Sequence, residues 1–411
     1  MEKFMKIKLL SLLVLTVMIA SMLSSCFFFN TVSEVSESNK ENVPDDLTVN
    51  VDEVKNNYIT INTTETNEEI AVEKAILSAV SIRTSSSSGS GVIFKMSEDK
   101  SVAYILTNYH VIYDTSTRNV SRSIKAYLYG MESYFYGDTD FSYAMNAVYV
   151  GGSVQYDLAV LKIVGSEVLM NSHAVACEFA DSNKVSVLEG SIAIGNAEGN
   201  GISATMGRVN VDSEEISLLA ADKKTTLNLR VMRTDAAVNG GNSGGGLFNM
   251  EGKLIGIVNA KKATSSTDNI GYAIPSNVAK YLAENILYYC DDKDSTAAKR
   301  CLLGINVRIT ALYTEVDEQT GAIYRREKVA VDAITSDSSA AKGYLEVGDQ
   351  INHITIDGTE YEVTRMFHVV DAMLNARANS TVVVNVTRGT EVIDVTIPVN
   401  GNDIKDADSV K

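Results

Sequence analysis

The sequence of 411 residues has no tryptophan, three prolines, four histidines and four cysteines. It also lacks a basic excess: 36 Lys and Arg stand against 52 Asp and Glu, for a net charge of −16. A phosphate backbone would be repelled over most of such a surface, so nucleic acid is excluded as a partner, and solubility is the plain consequence. The histidines are dispersed and no H-E-x-x-H occurs, so no metal site is expected and no cofactor is called for. Setting Cys26 aside leaves Cys177, Cys290 and Cys301, an odd number without tight spacing, which excludes a disulfide framework. Cys290 and Cys301 could pair across a short linker, with buried thiols as the simpler reading.

A long apolar run stands near the start, where MEKFMKIK leads into LLSLLVLTVMIASML and then SSC. The basic stretch, the apolar stretch from Leu9 to Leu23 and the small residues before Cys26 make residues 1–26 an export signal. Leu23-Ser24-Ser25-Cys26 resembles the lipobox of bacterial lipoproteins, in which the cysteine is lipidated. Phe27, Phe28 and Phe29 extend the run to about the 20 residues a spanning helix needs, so an uncleaved signal anchor is the alternative. Either reading places the rest outside the cytoplasm, held at the bacterial cell membrane. Residues 27–70, rich in Ser, Glu, Asn and Asp, read as a disordered polar tether.

The texture then changes, and 45% hydrophobic residues can build ordinary cores. Residues 71–82, AVEKAILSAVSI, predict a short helix. Short β-branched and aromatic runs separated by turn residues follow, about twelve strands between residues 89 and 275, enough for two small barrels. SNVAKYLAENILYY, capped by Ser276, predicts a helix that closes this domain at residue 290. Residues 291–300 read as a polar linker, residues 301–400 as a second domain containing the helical TRMFHVVDAMLNA, and residues 401–411 as a loose tail.

Glycine is concentrated in one place: from Gly240 to Gly246 every residue but Asn242 and Ser243 is glycine. Ordering glycine is costly, and it is tolerated where backbone must take positive φ or approach a ligand closely. Ser243 is therefore a candidate nucleophile, beside the plainer reading of a Gly-rich turn with a capping serine. Such a serine needs a base. His110 ends an apolar strand in YILTNYHVI, and Asp157 heads another in YDLAVLKI, where an unpartnered acid would be costly to bury. The order His110, Asp157, Ser243 belongs to the chymotrypsin-type arrangement. Gly241 to Gly245 also fits the G-x-S-x-G of α/β-hydrolases, but that fold needs a helix after the serine and a histidine later in the same domain. Here LFNMEGKLIGIVNA follows as a hairpin.

Together, ILTNYHVI, YDLAVLKI, TDAAVNGGNSGGGLFN, GKLIGIV and IGYAIPSNVAK resemble the HtrA/DegP family of extracytoplasmic trypsin-like serine proteases. LLGI, AAKGYLEVGDQI and the helix near His368 are similar to the PDZ domain that follows the protease in that family. The resemblance spans about residues 75–400. It implies a mostly β chain, a chymotrypsin/trypsin-like double β-barrel followed by an α+β PDZ domain. It also implies a serine endopeptidase acting on unfolded or misfolded proteins, and it allows a homotrimer. By it, Ser243 attacks the peptide carbonyl, His110 moves the proton, Asp157 orients the imidazole, and the amides of Gly241 and Ser243 form an oxyanion hole with Asn242 shaping the turn. Where the family has proline on either side of this block, Gly240 and Gly246 stand, so a loose loop with low basal activity is expected, and a weakly active or inactive peptide-binding, chaperone-like protein is the alternative function. Asn242 in place of an acid argues against activation by a freshly cut N-terminus.

The resemblance also carries the specificity expectations. Ala237, six before the serine, lies at the base of the primary pocket with Val238 beside it, and Ile270, Gly271, Tyr272 and Ala273 form the later wall, which favours cleavage after small or medium aliphatic residues. In the second domain, Leu302, Leu303, Gly304 and Ile305 match the loop that binds a C-terminal carboxylate, and Met366, Val369 and Val370 offer an apolar wall to the peptide.

Overall fold

The computed structural model describes residues 67–131, 143–259, 270–335 and 343–409. The export signal, Cys26 and the tether up to residue 66 lie outside the described residues. Residues 65–411 form one compact unit, and no helix among the described residues is long and apolar enough to cross a membrane.

After helix α1 (Asn67–Ile76), strands β1 (Ala79–Thr84), β2 (Ser88–Met96), β3 (Val102–Thr107), β4 (Ile124–Leu128), β5 (Met145–Ser153) and β6 (Leu158–Val164) close a barrel in the order β1-β2-β3-β6-β5-β4. Period-2 burial drives it: in β3, Ala103 and Ile105 turn into the barrel core, while Leu106 faces the other way into the core shared with the second barrel, all three without exposure. A second antiparallel barrel follows, built from β7 (Gly190–Gly195), β8 (Ser203–Leu219), β9 (Thr226–Thr234), β10 (Gly246–Phe248), β11 (Leu254–Val258) and β12 (Gly271–Pro275), in the order β8-β9-β12-β11-β10-β7. Closure removes the unpaired sheet edges that twelve short strands would otherwise leave. The sequence therefore predicted the double barrel, but the helix expected over residues 71–82 ends at Ile76, and Ala79–Thr84 form the first barrel strand.

Helix α2 is a single turn (Tyr109–Ile112) after β3, and α3 (Glu167–Met170) another after β6. Helix α4 (Ser276–Cys290) buries Val278, Leu282 and Ile286, spaced by four residues, on the shared core of the two barrels. Each of these side chains contributes roughly 1.5–3 kcal/mol. Its N-cap position is held by Pro275, one residue earlier than predicted, because the Ser276 hydroxyl donates instead to the Ala180 carbonyl.

The second domain is antiparallel: β14 (Ile305–Val316), β15 (Ile323–Ile334), β16 (Gln350–Ile356), β18 (Thr381–Arg388) and β19 (Glu391–Pro398) lie in that order, with β17 (Thr359–Glu362) paired to β16. The predicted helix shrinks to six residues, α5 (Phe367–Ala372). The linker and tail differ more. Lys299–Cys301 form a strand, β13, that pairs with β20 (Ile404–Asp406), so neither segment is a free connection. Residues 401–403 and 407–409 make short 3₁₀ turns around it, and the loose tail expected from composition is corrected over residues 401–409. Cys177, Cys290 and Cys301 are all free thiols, the simpler of the two readings; burial pushes those of Cys177 and Cys301 up to about 12.

Candidate active site

His110 sits on α2, directly after β3, and Asp157 in the turn between β5 and β6, where it holds φ of 48°. That left-handed conformation is strained for a side-chain-bearing residue and persists only where its surroundings over-determine it. The surroundings do so. The Asp157 carbonyl accepts from the Tyr109 amide at 3.1 Å and from Asn108 Nδ2 at 3.0 Å, and its own amide donates to Val154 at 3.1 Å. Its carboxylate is 1% exposed. Oδ1 accepts from the His110 amide at 3.0 Å, and Oδ2 lies 2.7 Å from His110 Nδ1.

Ser243 comes from the other barrel. Its carbonyl accepts from the Ser90 amide at 2.8 Å. The next residue, Gly244, lies so close that a Cβ there would stand 2.2 Å from the Ser90 carbonyl and 3.0 Å from the Asn108 nitrogen. Ser243 is thus laid against the segment that leads into His110. Asn259, just after β11, completes the bridge by donating from Nδ2 to Asp157 Oδ2 at 2.9 Å. Nothing in the sequence singled out Asn259 or Ser90, because an uncharged amide and a hydroxyl near turns carry no local signal of a role.

The glycine-rich loop is tied down rather than loose. Gly240 O accepts from Glu198 N at 2.6 Å, Gly241 O from Ser90 Oγ at 2.8 Å, and Asn242 O from Gly245 N at 2.9 Å. Peptide planarity then directs the Gly241 and Ser243 amides to the opposite side from Glu198 and Gly245. Gly241 has φ of 96°, and a Cβ there would meet the Asn196 carbonyl at 2.2 Å, so only glycine fits. Where proline was expected to order this loop, bonds from Ser90 on β2 and from Glu198 in a 3₁₀ turn hold it.

Around the expected pocket, Ala237 is exposed, and Val238 packs on Gly271, where a Cβ would come within 2.7 Å of the valine side chain. Ile270 and Tyr272 are partly exposed, and the Tyr272 carbonyl accepts from the Asn259 amide at 2.7 Å. Ala273 is fully buried in the barrel core, so it is no pocket wall.

A family model described as a trypsin-like peptidase domain matches residues 89–257. The Do-like serine protease HtrA of Lactococcus lactis subsp. cremoris (strain MG1363) is 30% identical over 385 residues, 87% of this chain and 84% of that protein. The chain belongs to the HtrA family of serine proteases. The HtrA of Lactococcus lactis subsp. lactis (strain IL1403) is 33% identical over 322 residues, 74% of this chain and 68% of the relative. Among solved structures, the HtrA-type protease AlgW with a tripeptide aligns over 82% of this chain and 97% of its own, with 25% identity and a TM-score of 0.49. As an HtrA protein the chain is a serine endopeptidase whose substrates are polypeptides.

In the second domain of this HtrA protein, Leu303 is core and the Leu302 amide donates to Asp403 O at 2.9 Å. Gly304 takes φ of 70° at the start of β14, the edge strand that Ile305 opens. Met366 and Val370 are each 40% exposed, whereas Val369 is 5% exposed and packs into the domain core. Val369 is therefore removed from the expected apolar wall, because the six-residue helix turns that side inward.

The same helix is bound to the second barrel through charge. Asp371 Oδ2 lies 2.7 Å from Arg230 Nη2 on β9. Arg365, 6% exposed, reaches Asp212 on β8 at 3.0 Å and Glu327 on β15 at 3.1 Å. Between them His368 is buried, and burial together with the positive charges of Arg230, Arg365 and Arg326 holds its imidazole down to about 3. Among the described residues no cluster of ligands could hold a metal ion.

Proposed function

We propose that the protein is a membrane-tethered, extracytoplasmic endopeptidase that cleaves misfolded or unfolded proteins, with Ser243 as nucleophile, His110 as base and Asp157 as the group that orients the imidazole. The observation that carries this reading is the 2.7 Å contact between Asp157 and His110 Nδ1. A carboxylate there keeps the proton on Nδ1 and leaves Nε2 as the acceptor a serine hydroxyl needs. Ser243 Oγ forms a bond to the peptide carbonyl carbon while its proton passes to Nε2. The oxyanion is stabilised by the amides of Gly241 and Ser243 beside Asn242, each worth about 10²–10³ in rate. Collapse breaks the C–N bond, Nε2 returns the proton to the leaving amine, and water repeats the sequence on the acyl-enzyme.

Val238 and the uncharged Ala237 support cleavage after small or medium aliphatic residues, since a cation entering there would lose water without a partner. The second domain acts as a PDZ domain, taking peptide C-termini at Leu302 to Ile305 beside Met366 and Val370 and adding a strand to β14. The export signal with Cys26 supplies the anchor, by lipidation or as a helix, and the catalytic domains assemble as trimers. Casein digestion by the full-length protein tests the core of this reading. Ser243→Ala is expected to abolish it and to lose labelling by a fluorophosphonate probe. Retention of more than about a tenth of wild-type turnover would overturn the mechanism.

A further inference from the structure

The turn that carries Asp157 is held from behind by the chain that leaves the second domain. Asp408 lies in the 3₁₀ turn after β20, and its carboxylate spans the whole connection between β5 and Asp157. Oδ1 accepts from the Ser153 hydroxyl and from the Gln155 amide at 3.0 Å, and Oδ2 accepts from the Val154 amide at 3.0 Å. The Ser153 hydroxyl in turn accepts from the Tyr156 amide at 3.3 Å. Three successive residues ahead of the strained Asp157 are therefore fixed by one carboxylate that stands more than 250 positions later in the chain. Charge-assisted bonds of this kind are the strong ones, and here they take up the amides of Val154 and Gln155.

Asp408 does not arrive there by a free tail. Gly152, next to Ser153, donates to Thr296 O at 3.0 Å and accepts from Ala298 N at 3.2 Å, and Ala407 N donates to Ala298 O at 2.8 Å. Strands β13 and β20 pair immediately beyond. The segment entering the second domain and the segment leaving it thus form one two-stranded strap, docked on the end of β5. A Cβ at Gly152 would meet the Leu158 carbonyl at 2.8 Å and the Tyr109 ring at 3.0 Å, so the strap presses on backbone that has no slack toward α2. The strap is also bonded, from Asp403 O to the Leu302 amide, to the loop that opens the second domain.

We infer that Asp408 is a positioning residue for catalysis, clamping the β5–β6 turn so that the Asp157 carboxylate stays aligned with His110. This rests on the triad reading above. An error of about 1 Å in such alignment can cost on the order of 100-fold in rate. Asp408 is itself exposed, and the turn keeps its bonds to Tyr109 and Asn108, so the expected effect is smaller.

The test uses the full-length protein and a fluorogenic peptide with an aliphatic residue before the scissile bond. Asp408→Ala is expected to lower kcat roughly tenfold, with KM changed less than about twofold. Fluorophosphonate labelling of Ser243 should slow by the same factor while the melting temperature stays close to wild type. Asp408→Glu should recover part of the loss. If Asp408→Ala does not fold, Asp408→Asn carries the test, since its NH2 would face an amide donor of the turn while one acceptor remains. A kcat within twofold of wild type in the folded variant, or a loss confined to KM, overturns the inference. A wild-type protein that neither digests casein nor takes the label at Ser243 would instead overturn the triad reading on which it rests.

Discussion

Between the two barrels the Asp157 carboxylate is buried among neutral donors and one imidazole, whereas between the second barrel and the C-terminal domain Arg365, Glu327 and Asp371 are buried beside the half-buried Arg230 and Asp212. The first seam fixes an acid without neutralising it. Asn259 and the His110 amide orient the carboxylate, and the charge remains available to an imidazole that gains a proton during the reaction. The second seam cancels charge with charge. Arg230 and Asp371 lie 2.7 Å apart, yet these atoms are off the hydrogen-bond axis, and Arg230 also stacks 3.9 Å from the centre of the Phe367 ring. Burial raises the Asp371 carboxyl and lowers the Arg230 guanidinium, and each ion's charge acts on its partner against that shift. Such pairs add little over an apolar packing, but removing one partner is expensive.

The contrast can be sharpened by breaking each seam. At the catalytic seam, Asp157→Asn should slow peptide cleavage by about 10⁴ through the wrong His110 tautomer, while thermal melting reports a folded protein. A slowing below tenfold would show that Asp157 only supports the fold. At the domain seam the effect should invert: Asp371→Asn leaves Arg230 buried without its anion and should cost about 3–5 kcal/mol in chemical denaturation. Full stability in that variant would mean that the Phe367 ring or solvent already compensates the guanidinium.

The smallest expected effect is on pH dependence. His368 binds its proton near 6.5 when unfolded and only near 3 in the native protein. The unfolded state therefore binds more protons below pH 6.5, and stability is complete above that value and falls as pH drops toward 3. At pH 5 the loss is ~2 kcal/mol from this group. Denaturation at pH 7.5 and pH 5 should show it in the wild type and less of it in His368→Gln. An identical pH dependence in the two proteins would remove His368 as the cause.

The chain's local patterns carried much of this. Period-2 runs announced the barrel strands, period-3.6 runs announced α4, and Gly241 and Gly244 marked backbone at positive φ beside Ser243. Residue types and order pointed to His110, Asp157 and Ser243 because few histidines competed and an acid heading an apolar strand needs a partner. The misjudged places were those where the partner is far away in sequence. The bonds that Glu198 and Ser90 make to the glycine-rich loop were not foreseen from Gly240 and Gly246. Val369 matched an apolar wall, yet the direction of a helix only six residues long puts it in the core.

Composition determined the acidic balance, and local sequence order determined the barrel and helix periodicities and the chemistry of the catalytic residue types, because these depend on neighbours a few positions away. Only the tertiary structure decided that Asn259 would meet Asp157 across 102 positions, that Arg365 would meet Asp212 across 153, and that the polar residues after 400 would return to Ser153 across 255. A polar residue looks the same in sequence whether water or a distant amide satisfies it. Folding makes that choice, when closing two barrels and one strap brings otherwise unpaired donors to the same few carboxylates.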